Sequence, residues 1–103
     1  MLPLERMALL AQGKLPDRVP FVPTIYEHAA ALIAVTPSEM AKSKELIVKG
    51  QLEAYKRYGH DLVAVGIDIY NIEAEALGCN IRYFDDKSIP CVSSHILGEN
   101  KED

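Results

Sequence analysis

Residues Asp61-Leu62-Val63-Ala64-Val65-Gly66-Ile67 form a near-continuous apolar run of strand length, directly behind a stretch that reads as a helix. Strands buried on both faces look like this, and they belong to parallel sheets covered by helices. In the stretch before it, Leu46, Ile47, Gly50, Gln51, Ala54, Tyr55 and Tyr58 recur at helical spacing, and Gly59 is placed to close the helix. Further upstream, Val19-Pro20-Phe21-Val22-Pro23-Thr24-Ile25 is extended by its β-branched content and by the effect of proline on the residue before it. Pro20 and Pro23 each lack a donor, so this strand is irregular or lies where the ladder is incomplete. The order predicts a βαβ unit with 19–25 and 62–67 as parallel strands, hence an α/β fold.

The remaining elements follow from local signals. Residues 2–12 suit a short helix with Leu4, Met7, Ala8 and Ala11 on one face and Gly13 as its stop. A linker, Lys14 to Arg18, precedes the first strand. His28 to Val35 is apolar enough for a short buried helix. Thr36-Pro37-Ser38-Glu39 is a helix start: threonine caps, proline fits the first turn, and glutamate reaches back to the cap. A second start is available at Ser43. After Asp68, Ile72 to Leu77 is helical and ends at Gly78. Asn80 to Phe84 and Ile89 to Val92, joined by a turn at 85–88, read as a β-hairpin whose second arm Pro90 places at an edge. The polar end, 98–103, reads as a loop or the beginning of a helix.

Composition narrows the function classes. Eleven Lys and Arg against fifteen Asp and Glu give a net charge of −4, which disfavours nucleic acid and anionic membrane surfaces as partners. No apolar stretch approaches the ~18 residues of a membrane helix, and the N-terminus is wrongly flanked for a signal peptide. The expected compartment is the cytoplasm, where Cys79 and Cys91 stay reduced as small buried or half-buried side chains.

Three pieces, in order, carry a resemblance: Pro16-Asp17-Arg18-Val19-Pro20; Gln51-Leu52-Glu53-Ala54 through Tyr58-Gly59-His60-Asp61; and Glu73-Ala74-Glu75-Ala76-Leu77-Gly78-Cys79 with the hairpin behind it. The chain resembles the N-terminal part of the uroporphyrinogen decarboxylase superfamily, which holds porphyrinogen decarboxylases and corrinoid-dependent methyltransferases. The resemblance implies a (β/α)₈ TIM barrel. Such a barrel takes about 250 residues or more, so residues 1–103 would form one partial barrel domain, about two parallel strands with helices plus the hairpin. Two strands cannot close a barrel, and their edges expose unpaired backbone groups. Self-association through strand edges or swapped elements is therefore expected.

The same resemblance supplies site expectations. Asp68 ends the buried strand, at the catalytic face of a barrel. In the decarboxylases an aspartate at the matching place binds the pyrrole nitrogens and stabilises the positive charge of ring protonation, as a fixed anion does. An aspartate after a strand also caps helices, and both readings stay open for Asp68. Tyr26 and His28, just past the first strand, and Tyr70, just past Asp68, are the substrate-binding candidates. A histidine opening an apolar helix is a structural residue or, titrating near neutrality, a ligand or acid–base group. The run Thr24 to Ala30 lacks the arginines with which decarboxylases pair the many carboxylates of their substrate. The expected branch is therefore the corrinoid-dependent methyltransferases, with uroporphyrinogen decarboxylase or a non-catalytic binding or assembly remnant as alternatives. By itself the segment is expected to be incomplete as a catalyst.

For the full-length methyltransferases the resemblance implies zinc, which converts a thiol substrate into a thiolate, and a corrinoid protein partner alongside the small-molecule substrate. This chain has no His-x-Cys or Cys-x-x-Cys pair, and the family's metal ligands lie in the later half of the barrel. Cys91 and His95 are too few for a zinc site, so no cofactor is assigned within the segment. Glu73 and Glu75, two residues apart on a helix, point in different directions and do not form a catalytic carboxylate pair.

Overall fold

The computed structural model describes residues 1–65 and 71–94. Its elements are α1 (Pro3–Ala11), α2 (His28–Leu32), α3 (Pro37–Ala41), α4 (Lys44–Tyr58), α5 (Asn71–Ala76), β1 (Ile81–Arg82) and β2 (Cys91–Val92).

Each helix boundary has a local cause. At α3, the Thr36 hydroxyl accepts from the Glu39 N–H at 3.1 Å while a Glu39 carboxylate oxygen accepts from the Thr36 N–H at 3.0 Å, the reciprocal capping box with Pro37 in the first turn. The Ser43 hydroxyl caps α4 by accepting from the Leu46 N–H. Gly59, at φ +60°, ends α4 in the left-handed conformation that glycine adopts without a side-chain penalty. Helix α1 stops at Ala11, shortly before Gly13, but it buries no residue, and Leu4 stands 80% exposed.

The core lies where α2 and α3 meet α4. Ala29, Ala30, Met40 and Ala54 are fully buried, with Ile25, Val35, Leu46 and Ile47 packed around the first three. Small residues set the approach of the helices: a Cβ on Gly50 would sit 3.1 Å from the Ala29 Cβ and 3.2 Å from its carbonyl oxygen.

The hairpin forms as its pattern predicts, with Ile81 opposite Val92 and Arg82 opposite Cys91 in antiparallel register. It is tied down at two points. The Phe84 N–H donates to the Ser38 hydroxyl at 2.9 Å, and the buried Asn71 side-chain amide donates to the Pro90 carbonyl at 2.8 Å.

The parallel strands are a different matter. Residues 19–25 and 62–65 are not in strands; 66 and 67 lie outside the described residues. The two segments touch where the Asp61 N–H donates to the Phe21 carbonyl at 2.8 Å and the Phe21 N–H donates to the Asp61 carboxylate at 2.7 Å. Two prolines withhold donors from the first segment, and its Phe21 donor is spent on a side chain, so no ladder propagates. The expected burial on both faces fails with it: Leu62 is 48% and Val65 67% exposed. A strand is enclosed only when neighbouring strands and helices cover it. Among the described residues the architecture is thus helical with a two-stranded antiparallel sheet. It is also flat, spanning 54 × 36 × 17 Å with a radius of gyration of 17.8 Å, where a compact domain of this length has about 13 Å.

Candidate substrate groove

A groove of about 680 Å³ opens between the start of α2, the turn into α3 and the hairpin. Glu27, His28 and Ala31 form one wall, Ala34, Val35, Thr36, Pro37 and Glu39 the floor and far end, and Lys87 and Ile89 of the hairpin the facing side. The wall is placed by strain. Tyr26, at φ +41°, turns the extended segment into α2, and Ala34, at φ +57°, turns α2 into the capping box. Neither residue is glycine, so each turn costs energy that the surrounding packing offsets.

Of the lining residues, His28 has its Nε2 2.7 Å from the Tyr58 hydroxyl of α4, and the two rings stack at 5.9 Å. Glu27 Oε1 is buried without a hydrogen-bond partner. Glu39 is occupied by its cap. The polar complement is therefore two carboxylates, one histidine and one lysine on otherwise apolar walls. That set both accepts and donates hydrogen bonds, and its two carboxylates against one ammonium make it a poorer fit for a polyanion than for a small neutral molecule.

Every arginine of the chain is committed elsewhere. Arg6 and Arg18 converge on Asp61, whose side chain is wholly buried: Arg6 Nη1 donates to Oδ1 at 2.9 Å, and Arg18 donates to Oδ2 at 2.7 Å and to Oδ1 at 3.2 Å. Arg6 also donates to Asp17 from Nε at 2.7 Å and Nη2 at 3.0 Å. Arg57 pairs with Glu53 one turn away on α4, and the Arg82 guanidinium lies over the Phe84 ring. The Phe21 N–H, foremost, and then the Arg18 and Arg6 guanidinium groups hold the Asp61 carboxyl down at about 2. The Arg6 hydrogen bond lowers Asp17 as well, and the Asp17 contact in turn raises Arg6.

A family model for uroporphyrinogen decarboxylase (URO-D) matches residues 2–103. The chain belongs to the uroporphyrinogen decarboxylase family. No curated protein and no solved structure matches it significantly.

Against that family assignment, the sequence-predicted site residues divide. His28 lines the groove and is hydrogen-bonded to Tyr58 of α4; Tyr26 is half-buried at the strained turn beside it and is not among the lining residues. Asp68 and Tyr70 lie outside the described residues, as does His95. Among the described residues no three His, Cys, Asp or Glu gather to hold a metal ion, so these residues offer no zinc site. Cys79 and Cys91 are free thiols, but Cys91 is exposed, not half-buried, because its strand has no cover on that side. No described helix is long and apolar enough to cross a membrane.

Two features escaped the sequence reading. The Asp61 clamp joins two of the motifs that carry the resemblance, and a buried aspartate beside an arginine-containing loop was the available signal. The second is Tyr58, which looked like the last core position of α4 but turns its hydroxyl to His28. Beside it in sequence, His60 is 1% exposed, edge-on to Tyr55, with Nδ1 unpartnered.

Proposed function

We propose that this chain is the N-terminal part of a barrel enzyme of the corrinoid-dependent methyltransferase branch, one partial barrel domain over 1–103 that lacks a complete active site by itself. The observation that carries this reading is the commitment of all four arginines away from the groove. A tetrapyrrole bearing many carboxylates is recognised by bidentate guanidinium groups, and here Arg6 and Arg18 are held in the Asp61 clamp, Arg57 pairs with Glu53 and Arg82 lies over Phe84. A small neutral substrate has no such need. In this reading Asp68 is the carboxylate at the catalytic rim, Tyr26, His28 and Tyr70 contact substrate, and the enzyme works in the cytoplasm. Zinc and the corrinoid protein partner meet residues that lie later in the barrel.

Two assays run side by side on the polypeptide as its source cell makes it test the reading. Transfer of the methyl group of methylcobalamin to a thiol, followed by the change in corrinoid absorbance, is the expected activity. Release of carbon dioxide from uroporphyrinogen moves the chain to the decarboxylase branch. Silence in both assays favours the binding or assembly remnant.

A further inference from the structure

Glu27 stands at the N-cap of α2 and lines the groove, yet its side chain makes no cap hydrogen bond. Its Oε1 is buried with no hydrogen-bond partner. Neighbouring polar groups of the lining are engaged: Glu39 accepts from the Thr36 N–H, and His28 meets the Tyr58 hydroxyl. Lys87, on the exposed turn of the hairpin, does not reach Oε1 either. A carboxylate oxygen withdrawn from water without a donor is costly, and a donor entering the groove would offset that cost.

We propose that the groove takes a small organic ammonium, its N–H groups on the Glu27 carboxylate and its apolar body against Ala31, Val35, Pro37 and Ile89. An ammonium brings three donors, and a charge-assisted bond to a carboxylate is about twice as strong as a neutral one. Two carboxylates in the lining against one lysine favour a cation over an anion. A bare divalent cation is the worse occupant, since it wants several oxygen ligands and among the described residues no three His, Cys, Asp or Glu gather. The volume, about 680 Å³, is that of a small-molecule site. The inference deepens the proposed function: it rests on that reading of the groove as the place of the substrate and adds the substrate's head group.

Nuclear magnetic resonance titration of the polypeptide as its source cell makes it, at pH 7, tests this with n-butylamine, n-butanol and butyrate. These compare a cation, a neutral molecule and an anion of one size. Butylammonium is expected to bind at least about tenfold more tightly than butanol, and butyrate most weakly, with the amides of 27–31 and of Ile89 shifting. Glu27→Gln keeps the shape and removes the charge, so the preference for the ammonium should vanish while butanol still binds. Glu39→Gln, whose amide oxygen can still accept the Thr36 N–H, should keep most of that preference. A readout that needs no variant is the Glu27 carboxyl carbon resonance, which should move with butylamine and not with butanol. Equal affinity of amine and alcohol overturns the proposal, as does binding by none of the three or a still carboxyl resonance. So does a preference that survives Glu27→Gln, or one lost equally with Glu39→Gln. Turnover is scored apart: ammonium binding without methyl transfer removes the branch assignment and leaves the site, whereas methyl transfer without ammonium preference removes the site and leaves the branch.

Discussion

Arg18 and Asp61, far apart in the chain, meet as a two-point ion pair, with Nη1 2.7 Å from Oδ2 and Nη2 3.2 Å from Oδ1. The contact fixes where the linker after α1 lies against the segment that leaves α4, a join that the missing strand ladder does not provide. Arg6 adds a third donor from α1, so one buried carboxylate holds three parts of the chain. Its hydrogen-bond partners, the Phe21 N–H first, favour the ionised form and outweigh the opposing effect of burial.

Asp61→Asn is therefore expected to destabilise the protein strongly, because two guanidinium groups lose the charge they converge on. Asp17→Asn, at the exposed end of the same network, should cost less. The pH dependence has a definite sign. Asp61 titrates at about 2 when folded and near 3.9 when unfolded, so within that range the unfolded chain binds the extra proton. The stability due to Asp61 is fully present above about pH 4 and is lost as pH falls towards about 2. Urea denaturation midpoints across that range check this, and a variant with the same acid slope as the parent would refute the clamp.

Gly50→Ala tests the approach of α2 to α4. On an exposed helix the change would stabilise by roughly 1 kcal/mol, since glycine is the poorer helix former. Here the new methyl meets the Ala29 Cβ at 3.1 Å and the Ala29 carbonyl oxygen at 3.2 Å, and neither is the end of a flexible chain. Overpacking of this kind costs about 1–3 kcal/mol, which outweighs the propensity gain. A lowered thermal midpoint is expected, and a raised one would mean that the helices part freely.

The elements set by local chemistry were legible in the sequence, and those set by distant partners were not. Thr36 and Glu39 cap each other within one turn, Gly59 ends α4 by its own backbone freedom, and the hairpin needs only its two arms and turn. The run Leu62 to Val65 has the composition of an enclosed strand, but enclosure depends on what lies alongside, and the prolines at 20 and 23 remove the nearest candidate. The sequence pointed to the groove at His28, which lines it, whereas Tyr26 sits at the turn beside it and does not. Its other half, Lys87 and Ile89, comes from a hairpin sixty residues on, joined through Ser38 and Asn71, and no periodicity encodes that contact.

Ala34→Gly should stabilise the fold. Ala34 sits at φ +57°, where an L side chain costs about 1–2 kcal/mol, while the extra freedom of glycine in the unfolded chain costs about 0.4–1 kcal/mol. Its methyl is exposed, so little packing is lost. A net gain of about 0.5–1 kcal/mol is expected from these two magnitudes, measurable by urea denaturation. A loss would show that the methyl on the groove floor packs more tightly than its exposure suggests.

Ser38→Ala connects stability to the groove. Ser38 is 5% exposed, and its hydroxyl accepts the Phe84 N–H at 2.9 Å. Removing the acceptor strands that donor at the root of the hairpin, at a cost of about 1–3 kcal/mol if it stays buried. The hairpin has a cheaper response, which is to swing away and hydrate the N–H, carrying Lys87 and Ile89 from the facing side of the groove. Hydrogen exchange separates the two responses. Faster exchange at Phe84 and through 81–92, with α3 and α4 unchanged, is expected if the Ser38 contact holds that wall in place. Uniform acceleration across the protein would instead mark a purely global loss of stability and leave the groove independent of Ser38.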